Sequence, residues 1–166
     1  MSATSILNHV QISHKIKRLA WQIYENNMES AQIWVAGIDE RGQFLAGLLC
    51  QQLSEIGTIE VNQFSIQLNR DTFEPLFLSE NSLDALSNQH IVLVDDVLNS
   101  GKTIVSCLLP LLEKKVAKIE VAVLASRSHK LFPIKADYVG ISMATTLHEH
   151  LLFDNSNIND LKMVLV

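Results

Sequence analysis

The stretch IVLVDDVLNSGKT, residues 91–103, decides the fold. It opens with an uninterrupted aliphatic run, as in a parallel strand whose two faces are both covered by helices. Two adjacent carboxylates follow, Asp95 and Asp96, and a turn of small residues then leads into a helical pattern. Because ligands of open α/β sheets bind beyond the carboxyl ends of the strands, this acid pair marks a candidate binding site.

The chain around this segment alternates between helix and strand patterns. The predicted elements are helices over 6–27, 42–53 and 103–112 and strands over 33–38, 90–94, 119–124 and 138–141. This βαβα order predicts an α/β fold with an open, mainly parallel twisted sheet and helices on both faces. The length favours a single domain spanning residues 1–166.

Two segments depart from this alternation. Between Ile59 and Leu68 the apolar residues change phase, which predicts a bulge or bend near Asn62 and hence a strand pair or a kinked strand. Residues 69–88 are polar, contain Pro75 and show no lasting period. We therefore expect a functional loop there.

Composition excludes several classes of protein. Of the 166 residues, 48% are hydrophobic and 19% are charged, which excludes a disordered chain. No apolar run approaches the roughly 18 residues of a membrane span, and the first residues do not resemble a signal peptide, so we expect a cytoplasmic protein with no membrane partner. The net charge of −5 does not favour a surface that coats nucleic acid. Cys50 and Cys107 lie in apolar helical patterns and are expected to be buried thiols.

The turn after the acids has the composition of a phosphate-binding loop. Residues 100–103 (SGKT) place backbone N–H groups at the start of a helix, where Gly101 permits close approach and the hydroxyls add donors. The ending GKT also occurs in the Walker A loop, but that loop needs a glycine where this chain has Asp96. The pattern therefore indicates a phosphate site beside two acids, which suits a phosphorylated sugar and a divalent metal.

This combination resembles the 5-phosphoribosyl 1-diphosphate (PRPP) binding motif of the type I phosphoribosyltransferases. The resemblance covers most of residues 6–146 and narrows to the bifunctional pyrimidine-operon attenuator/uracil phosphoribosyltransferase family. It implies that family's fold with a small hood, and transfer of a 5-phosphoribosyl group from PRPP to a nucleobase with Mg²⁺ as cofactor. The similar segments are IKRLAWQIYENN (16–27), VAGIDERGQFLAGLL (35–49), IQLNRD (66–71) and VLASRSHKLFPIKADYVG (123–140).

The resemblance implies roles residue by residue. Asp95 and Asp96 would contact the ribose hydroxyls directly or through Mg²⁺ as its ligands, and would act in catalysis with Arg70 on a mobile flap. The implied PRPP-binding set is Glu40, Arg41, Gly42, Asp95, Asp96, Asn99, Ser100, Gly101, Lys102, Thr103 and Lys130. The implied base-binding set is Val97, Leu98, Asn99 and Ile141, with a hood near residues 141–145.

Two parts of this comparison carry finer expectations. Glu40, Arg41 and Gly42 match the pyrophosphate-binding loop, where relatives often hold a non-proline cis peptide, so we predict a cis bond between Glu40 and Arg41. Arg127 and Lys130 match basic positions after the fourth strand, although Arg127 fits a solvated surface charge equally well.

Two departures from purine-specific relatives favour uracil as the acceptor. Asn99 stands where those relatives place an aspartate that contacts N7 of the purine, and an amide cannot act as a base. Ser126 stands where they place a lysine. A purine acceptor is disfavoured by these positions and stays open.

The partners of the protein are less constrained by its residues than the reaction is. A regulator of pyrimidine genes that binds RNA and senses PRPP or a nucleotide, with weak or no transferase activity, remains the rival from another class.

His148 and His150 could form a metal pair on a strand, but they lack a third ligand and are expected to be solvated. Trp21 and Trp34 are expected in core or interface packing. Self-association as a homodimer or homotetramer is expected by analogy.

Overall fold

A computed structural model describes residues 4–78, 83–128, 130–144 and 149–166 of the protein. In chain order its elements are β1 (Thr4–Leu7), α1 (His9–Asn26), β2 (Gln32–Ile38), α2 (Asp39–Ile56), β3 (Glu60–Leu68), β4 (Pro75–Leu78), β5 (His90–Leu98), α3 (Lys102–Glu113), β6 (Lys118–Arg127), β7 (Tyr138–Met143), β8 (Leu151–Asp154) and β9 (Lys162–Leu165).

The larger sheet has six strands in the order β4-β3-β2-β5-β6-β7. All neighbouring strands pair in parallel except β4, which pairs antiparallel with β3 at one edge. Aliphatic side chains of α1 and α2 pack on one face of this sheet, and those of α3 pack on the other. The predicted α/β fold, a mainly parallel sheet covered by helices on both faces, is confirmed.

The smaller sheet corrects the prediction for the start of the chain. It has three antiparallel strands in the order β1-β9-β8, so Ile6 and Leu7 lie in a strand and not in the first helix. The helix begins after Asn8, whose side chain accepts from the backbone of Gln11 while the Gln11 side chain accepts from the backbone of Asn8. This reciprocal cap fixes the boundary, and the helical spacing of Ile6 and Leu7 was coincidental.

This three-stranded sheet does not lie where the hood was predicted, near residues 141–145. Ile141 lies in β7 of the larger sheet, with its side chain packed against the core that α1 and α2 form. The predicted hood continued to residue 145, but residues 145–148 are outside the described residues. We use the name hood sheet below for β1, β8 and β9.

The predicted bulge near Asn62 is wrong. β3 pairs with β2 in unbroken register from Gln32 and Glu60 to Ile38 and Ile66. The two apolar phases arise because β3 is covered on both faces: Ile59 and Val61 pack with the α1 and α2 core, whereas Phe64, Ile66 and Leu68 pack with the α3 core. An apolar pattern that changes face along a straight strand imitates a kink.

Part of the predicted loop over 69–88 is regular structure. β4 lies in it, and a short 3₁₀ turn covers Leu83–Leu86. Phe77 of β4 packs against the α3 core, which explains why this polar segment contains an edge strand.

Cysteines and tryptophans divide between core and surface. Cys107 is buried and Cys50 is half-buried, and burial raises the pKa of each thiol to about 12. Trp34 lies in the α3 core, whereas Trp21 is 43% exposed and packs edge-on against Tyr24. Among the described residues, no helix has the length and apolar character needed to cross a membrane.

Candidate active site

A cavity of about 380 Å³ lies at the carboxyl edge of the larger sheet, where β2, β3 and β5 end. Acidic and basic side chains from three separate segments meet there. Its lining residues are Ile38, Asp39, Glu40, Arg41, Arg70, Asp95, Asp96, Val97 and Thr103. The fold therefore brings together the acid pair, the start of α2 and the residue after the turn, as the sequence predicted.

The two adjacent acids lie side by side on β5. Asp95 Oδ1 accepts the backbone N–H of Asp96 at 2.9 Å, and Arg41 Nη1 lies 4.0 Å from Asp96 Oδ2. Burial, and then the neighbouring charge of Asp96, raise the pKa of Asp95 well above its usual range. The ionised form of Asp95 is therefore poorly compensated by the protein groups around it.

Hard oxygen donors of this kind fit Mg²⁺. This ion is commonly bound through one or two carboxylates, with substrate phosphates and water completing its coordination. Among the described residues no group of three or more His, Cys, Asp or Glu side chains could hold a metal by itself. Asp95 and Asp96 would therefore bind the ion together with a phosphorylated ligand.

A second cavity of about 220 Å³ adjoins the first and shares Arg70, Asp95, Val97 and Thr103 with it. Its remaining lining comes from Phe73 and the turn that enters α3: Leu98, Asn99, Ser100, Gly101, Lys102 and Ile104.

Gly101 fits this turn for two reasons. Its φ of +88° is strained for any residue with a Cβ, and a Cβ there would lie 2.8 Å from Ile134 Cγ2. Within the turn, Ser100 Oγ accepts the N–H of Lys102 at 3.2 Å. The Lys102 ammonium lies 3.7 Å from the centre of the Phe73 ring, which joins the segment after β3 to this turn.

The predicted cis bond between Glu40 and Arg41 is wrong, since the described residues contain no cis peptide. The chain instead reverses through Asp39, whose φ is +52°, and α2 begins at that residue with trans geometry. Gly42 supports this path: a Cβ on it would lie 2.6 Å from the carbonyl oxygen of Val94. Gly42 therefore seats α2 against β5 and does not line the cavity.

Asp39 is a site residue that sequence reasoning missed. Its Oδ2 lies 3.0 Å from Arg70 Nη2, and its Oδ1 accepts the backbone N–H of Leu68 at 3.0 Å. The signal was present, because an acid directly after a buried strand is the feature that singled out Asp95.

Only some of the predicted base-binding residues line the two cavities, and Lys130 of the predicted PRPP-binding set does not. Val97 lines both cavities and Asn99 lines the second, whereas Leu98 contributes to the second cavity with a side chain that is buried in the α3 core. Ile141 and Lys130 line neither cavity.

Comparison with known proteins agrees with this geometry. A family model described as phosphoribosyl transferase domain matches residues 2–151. The chain belongs to the phosphoribosyltransferase family. Within that family, the bifunctional protein PyrR of Pasteurella multocida is 30% identical, with 90% of this chain and 92% of that protein covered. The same-named protein of Deinococcus radiodurans is 33% identical, with 87% and 84% covered. The predicted resemblance to PyrR-like proteins is confirmed.

Solved structures show the same fold. The hypoxanthine phosphoribosyltransferase of Trypanosoma cruzi superposes with a TM-score of 0.80 at 15% identity, covering 96% of this chain and 95% of that one. A hypoxanthine phosphoribosyltransferase of Staphylococcus aureus gives 0.72 at 18% identity, covering 85% and 77%. The predicted type I phosphoribosyltransferase fold is therefore confirmed.

The sequence left Arg127 undecided between a basic position of the site and a solvated surface charge. It is only 4% exposed, which excludes the solvated surface charge, and its Nη1 donates to Asn99 Oδ1 at 2.8 Å. A basic residue at the end of a buried strand carried no signal for that contact. Of the proposed histidine pair, His148 is outside the described residues, and the backbone of His150 pairs with Val166.

Proposed function

We propose that this phosphoribosyltransferase moves a 5-phosphoribosyl group from PRPP to a nucleobase nitrogen, with uracil as the acceptor, and releases pyrophosphate in the presence of Mg²⁺. One observation carries the proposal. Two carboxylates and two arginines, Asp95 and Asp96 with Arg41 and Arg70, line a cavity that opens into a glycine turn at a helix N-terminus.

Each part of the donor has a matching part of this site. The 5-phosphate belongs at the turn over residues 100–103, because the N-terminus of the twelve-residue helix α3 offers N–H groups and the positive end of a helix dipole. The ribose hydroxyls then meet Asp95 and Asp96. The diphosphate falls near Arg41 and Arg70, whose charges complement it.

The acid pair suits the chemistry of glycosyl transfer. The bond from the ribose carbon to the diphosphate breaks while the bond to the base nitrogen forms, and positive charge develops on the ribose in between. Fixed carboxylates offset a charge that exists only in the transition state. When bound, Mg²⁺ neutralises negative charge on the diphosphate leaving group.

Arg70 is proposed to act from the flap. It follows β3, its side chain is 80% exposed, and it lines both cavities. A cation on a mobile segment can close over the diphosphate and exclude water, which would otherwise intercept the activated ribose.

Uracil is supported by Asn99 and by the PyrR-like relatives. Asn99 lines the second cavity and cannot serve as the base that a purine N7 site would use. The hypoxanthine enzymes of Trypanosoma cruzi and Staphylococcus aureus are 15% and 18% identical to this chain, so they support its fold but do not identify its acceptor base.

The rival function is regulation through RNA. It is favoured by one observation, that the relatives are named bifunctional, and opposed by another, the net charge of −5.

We further propose a cytoplasmic homodimer or homotetramer. Leu109 and Leu112, which are 65% and 60% exposed on the outer face of α3, support self-association.

The decisive experiment measures pyrophosphate release from PRPP and Mg²⁺ with uracil, orotate, hypoxanthine, guanine and xanthine in parallel. We expect turnover with uracil that falls at least about 100-fold in Asp96→Asn, because loss of one oriented charge commonly costs this much. Asp84→Asn is the matched control, since Asp84 is exposed and pairs with Lys114.

Two further outcomes change the conclusion. Turnover with a purine and none with uracil would contradict the acceptor and keep the reaction. No release with any base, together with PRPP binding, would contradict the transferase, and a sequence-specific and salt-dependent RNA gel shift would then establish the regulator.

A further inference from the structure

A buried arginine contacts Asn99, a residue that lines the second cavity. Arg127 is the last residue of β6, and it is 4% exposed. β5 and β6 pair in parallel with Leu98 opposite Ser126, so the next residues, Asn99 and Arg127, come side by side at the carboxyl edge. Arg127 Nη1 donates to Asn99 Oδ1 across 2.8 Å.

This hydrogen bond decides which end of the Asn99 amide faces the arginine. A guanidinium carries N–H donors and no acceptor, so only the amide oxygen of Asn99 can meet it. The Nδ2 group, with two N–H donors, is left on the other side of the amide. Asn99 is exposed and lines the second cavity, whereas Arg127 does not line it. The N–H groups of the Asn99 amide are therefore the part of this side chain that can bind a ligand in the second cavity.

The charge on Arg127 makes this orientation firm. A guanidinium carries only N–H donors, so turning the amide by half a rotation would set N–H against N–H. That rotation would also give up a charge-assisted hydrogen bond in a part-buried place. A free surface asparagine could turn either end of its amide to a ligand, but Asn99 cannot.

We propose that Arg127 is a positioning residue that orients the Asn99 amide, and that the oriented amide selects acceptor bases with an oxo oxygen at the contacted position over bases with an exocyclic amino group there. The inference rests on the proposed phosphoribosyl transfer and narrows its acceptor to oxo bases. An amino group facing Asn99 Nδ2 would place donor against donor and leave both without a partner.

Uracil and cytosine are the matched pair of acceptors for the test, because cytosine carries an amino group in place of one oxo group. The readout is the ratio of kcat/KM for uracil to that for cytosine. Asn99→Asp keeps an acceptor for Arg127 and removes the NH₂ group. We expect Asn99→Asp to lower the uracil to cytosine ratio by about tenfold or more, because that is the effect of losing one hydrogen bond to a desolvated partner.

Arg127→Met tests the positioning role. This variant fills the space of the arginine stem and frees the amide to rotate, so the uracil to cytosine ratio should fall by about tenfold. In an Asn99→Ala background, Arg127→Met should lower the ratio no further, because its effect runs through the amide. Additive effects would show that Arg127 acts elsewhere and would overturn the proposal.

Two further measurements keep the test decisive. If Arg127→Met does not fold, the exposed Asn99→Asp variant still decides: an unchanged ratio overturns the proposal. The relative affinities for UMP and CMP, measured by calorimetry, report on the amide without turnover and should change in parallel.

Failure of the inference and failure of the proposed function are then distinct. Absence of pyrophosphate release with every base contradicts the function, and the UMP to CMP ratio still tests the amide. Turnover with equal preference for uracil and cytosine contradicts the inference alone.

Discussion

Asp39 connects three parts of the site through one carboxylate. Its backbone turns the chain from β2 into α2, its Oδ1 accepts from Leu68 at the end of β3, and its Oδ2 pairs with Arg70 just after β3. An anionic ligand that needs Arg70 therefore competes with a carboxylate that already holds it. Asp39 also adds negative charge to a cavity proposed to bind a diphosphate.

We predict that Asp39→Asn lowers KM for PRPP by about two- to fivefold, the range expected for loss of an exposed ion pair. Asparagine keeps an acceptor for the Leu68 N–H and tolerates a positive φ, so the turn is preserved. Steady-state kinetics with varied PRPP check the prediction. Asp71→Asn, in the same segment as Arg70 but outside both cavities, is the matched control, and an increase in KM would contradict a competitive role.

Individual residues were predictable where the signal was local. Asp95, Asp96 and Gly101 follow from one continuous stretch, because a strand, an acid pair and a turn succeed one another in the chain. The Arg127 contact does not follow from any stretch, since its partner Asn99 is 28 positions away and the pairing exists only through strand register.

Among the elements, α2 contains two glycines with opposite surroundings. A Cβ on Gly42 would lie 2.6 Å from the carbonyl oxygen of Val94, whereas a Cβ on Gly47 would meet nothing within 4 Å. Gly42 allows the N-terminus of the helix, which carries Arg41, to seat on the strand that carries the acids. Gly47 only lowers the helix propensity.

We predict opposite effects of alanine at these two positions. Gly42→Ala should lower the free energy of unfolding by about 1–3 kcal/mol, because helix and strand must separate to admit the methyl group. Gly47→Ala should raise it by about 0.5–1 kcal/mol, because alanine loses less backbone entropy in a helix. Urea unfolding of both variants tests this, and a stabilising Gly42→Ala would contradict the close packing.

Most elements were predictable because their periodicity is strong, and the exceptions have physical causes. The two phases of β3 record burial on both faces of a straight strand. The strand β1 was hidden because three long-range partners across β9 outweighed a helical spacing that Asn8 cuts off. Strands that pair with the far end of the chain leave no local signal.

At the scale of the whole molecule, the binding site is a source of instability in the free protein. Burial and the charge of Asp96 raise the pKa of Asp95, so the folded state retains a proton that the unfolded chain releases. Stability is therefore lost as the pH rises from the unfolded value of about 3.9 towards the raised pKa of Asp95.

We predict that Asp95→Asn abolishes turnover and stabilises the free protein. The gain in free energy of unfolding should be small near pH 4 and reach about 1–3 kcal/mol at pH 8, because the variant removes a poorly compensated charge. Asparagine keeps the acceptor for the Asp96 N–H. Urea unfolding at both pH values tests the prediction, with Asp71→Asn as control. A variant that is less stable at pH 8 would contradict it.

The hood sheet has a consequence for how the molecule responds to mechanical force. Thr4 at the start of β1 lies opposite Leu165 at the end of β9, and the two strands run antiparallel. Tension applied between the two ends of the chain therefore loads this ladder from one end and opens it pair by pair, as a zipper, without shearing all its hydrogen bonds at once. The hood yields first, while the six-stranded sheet and its carboxyl edge remain intact.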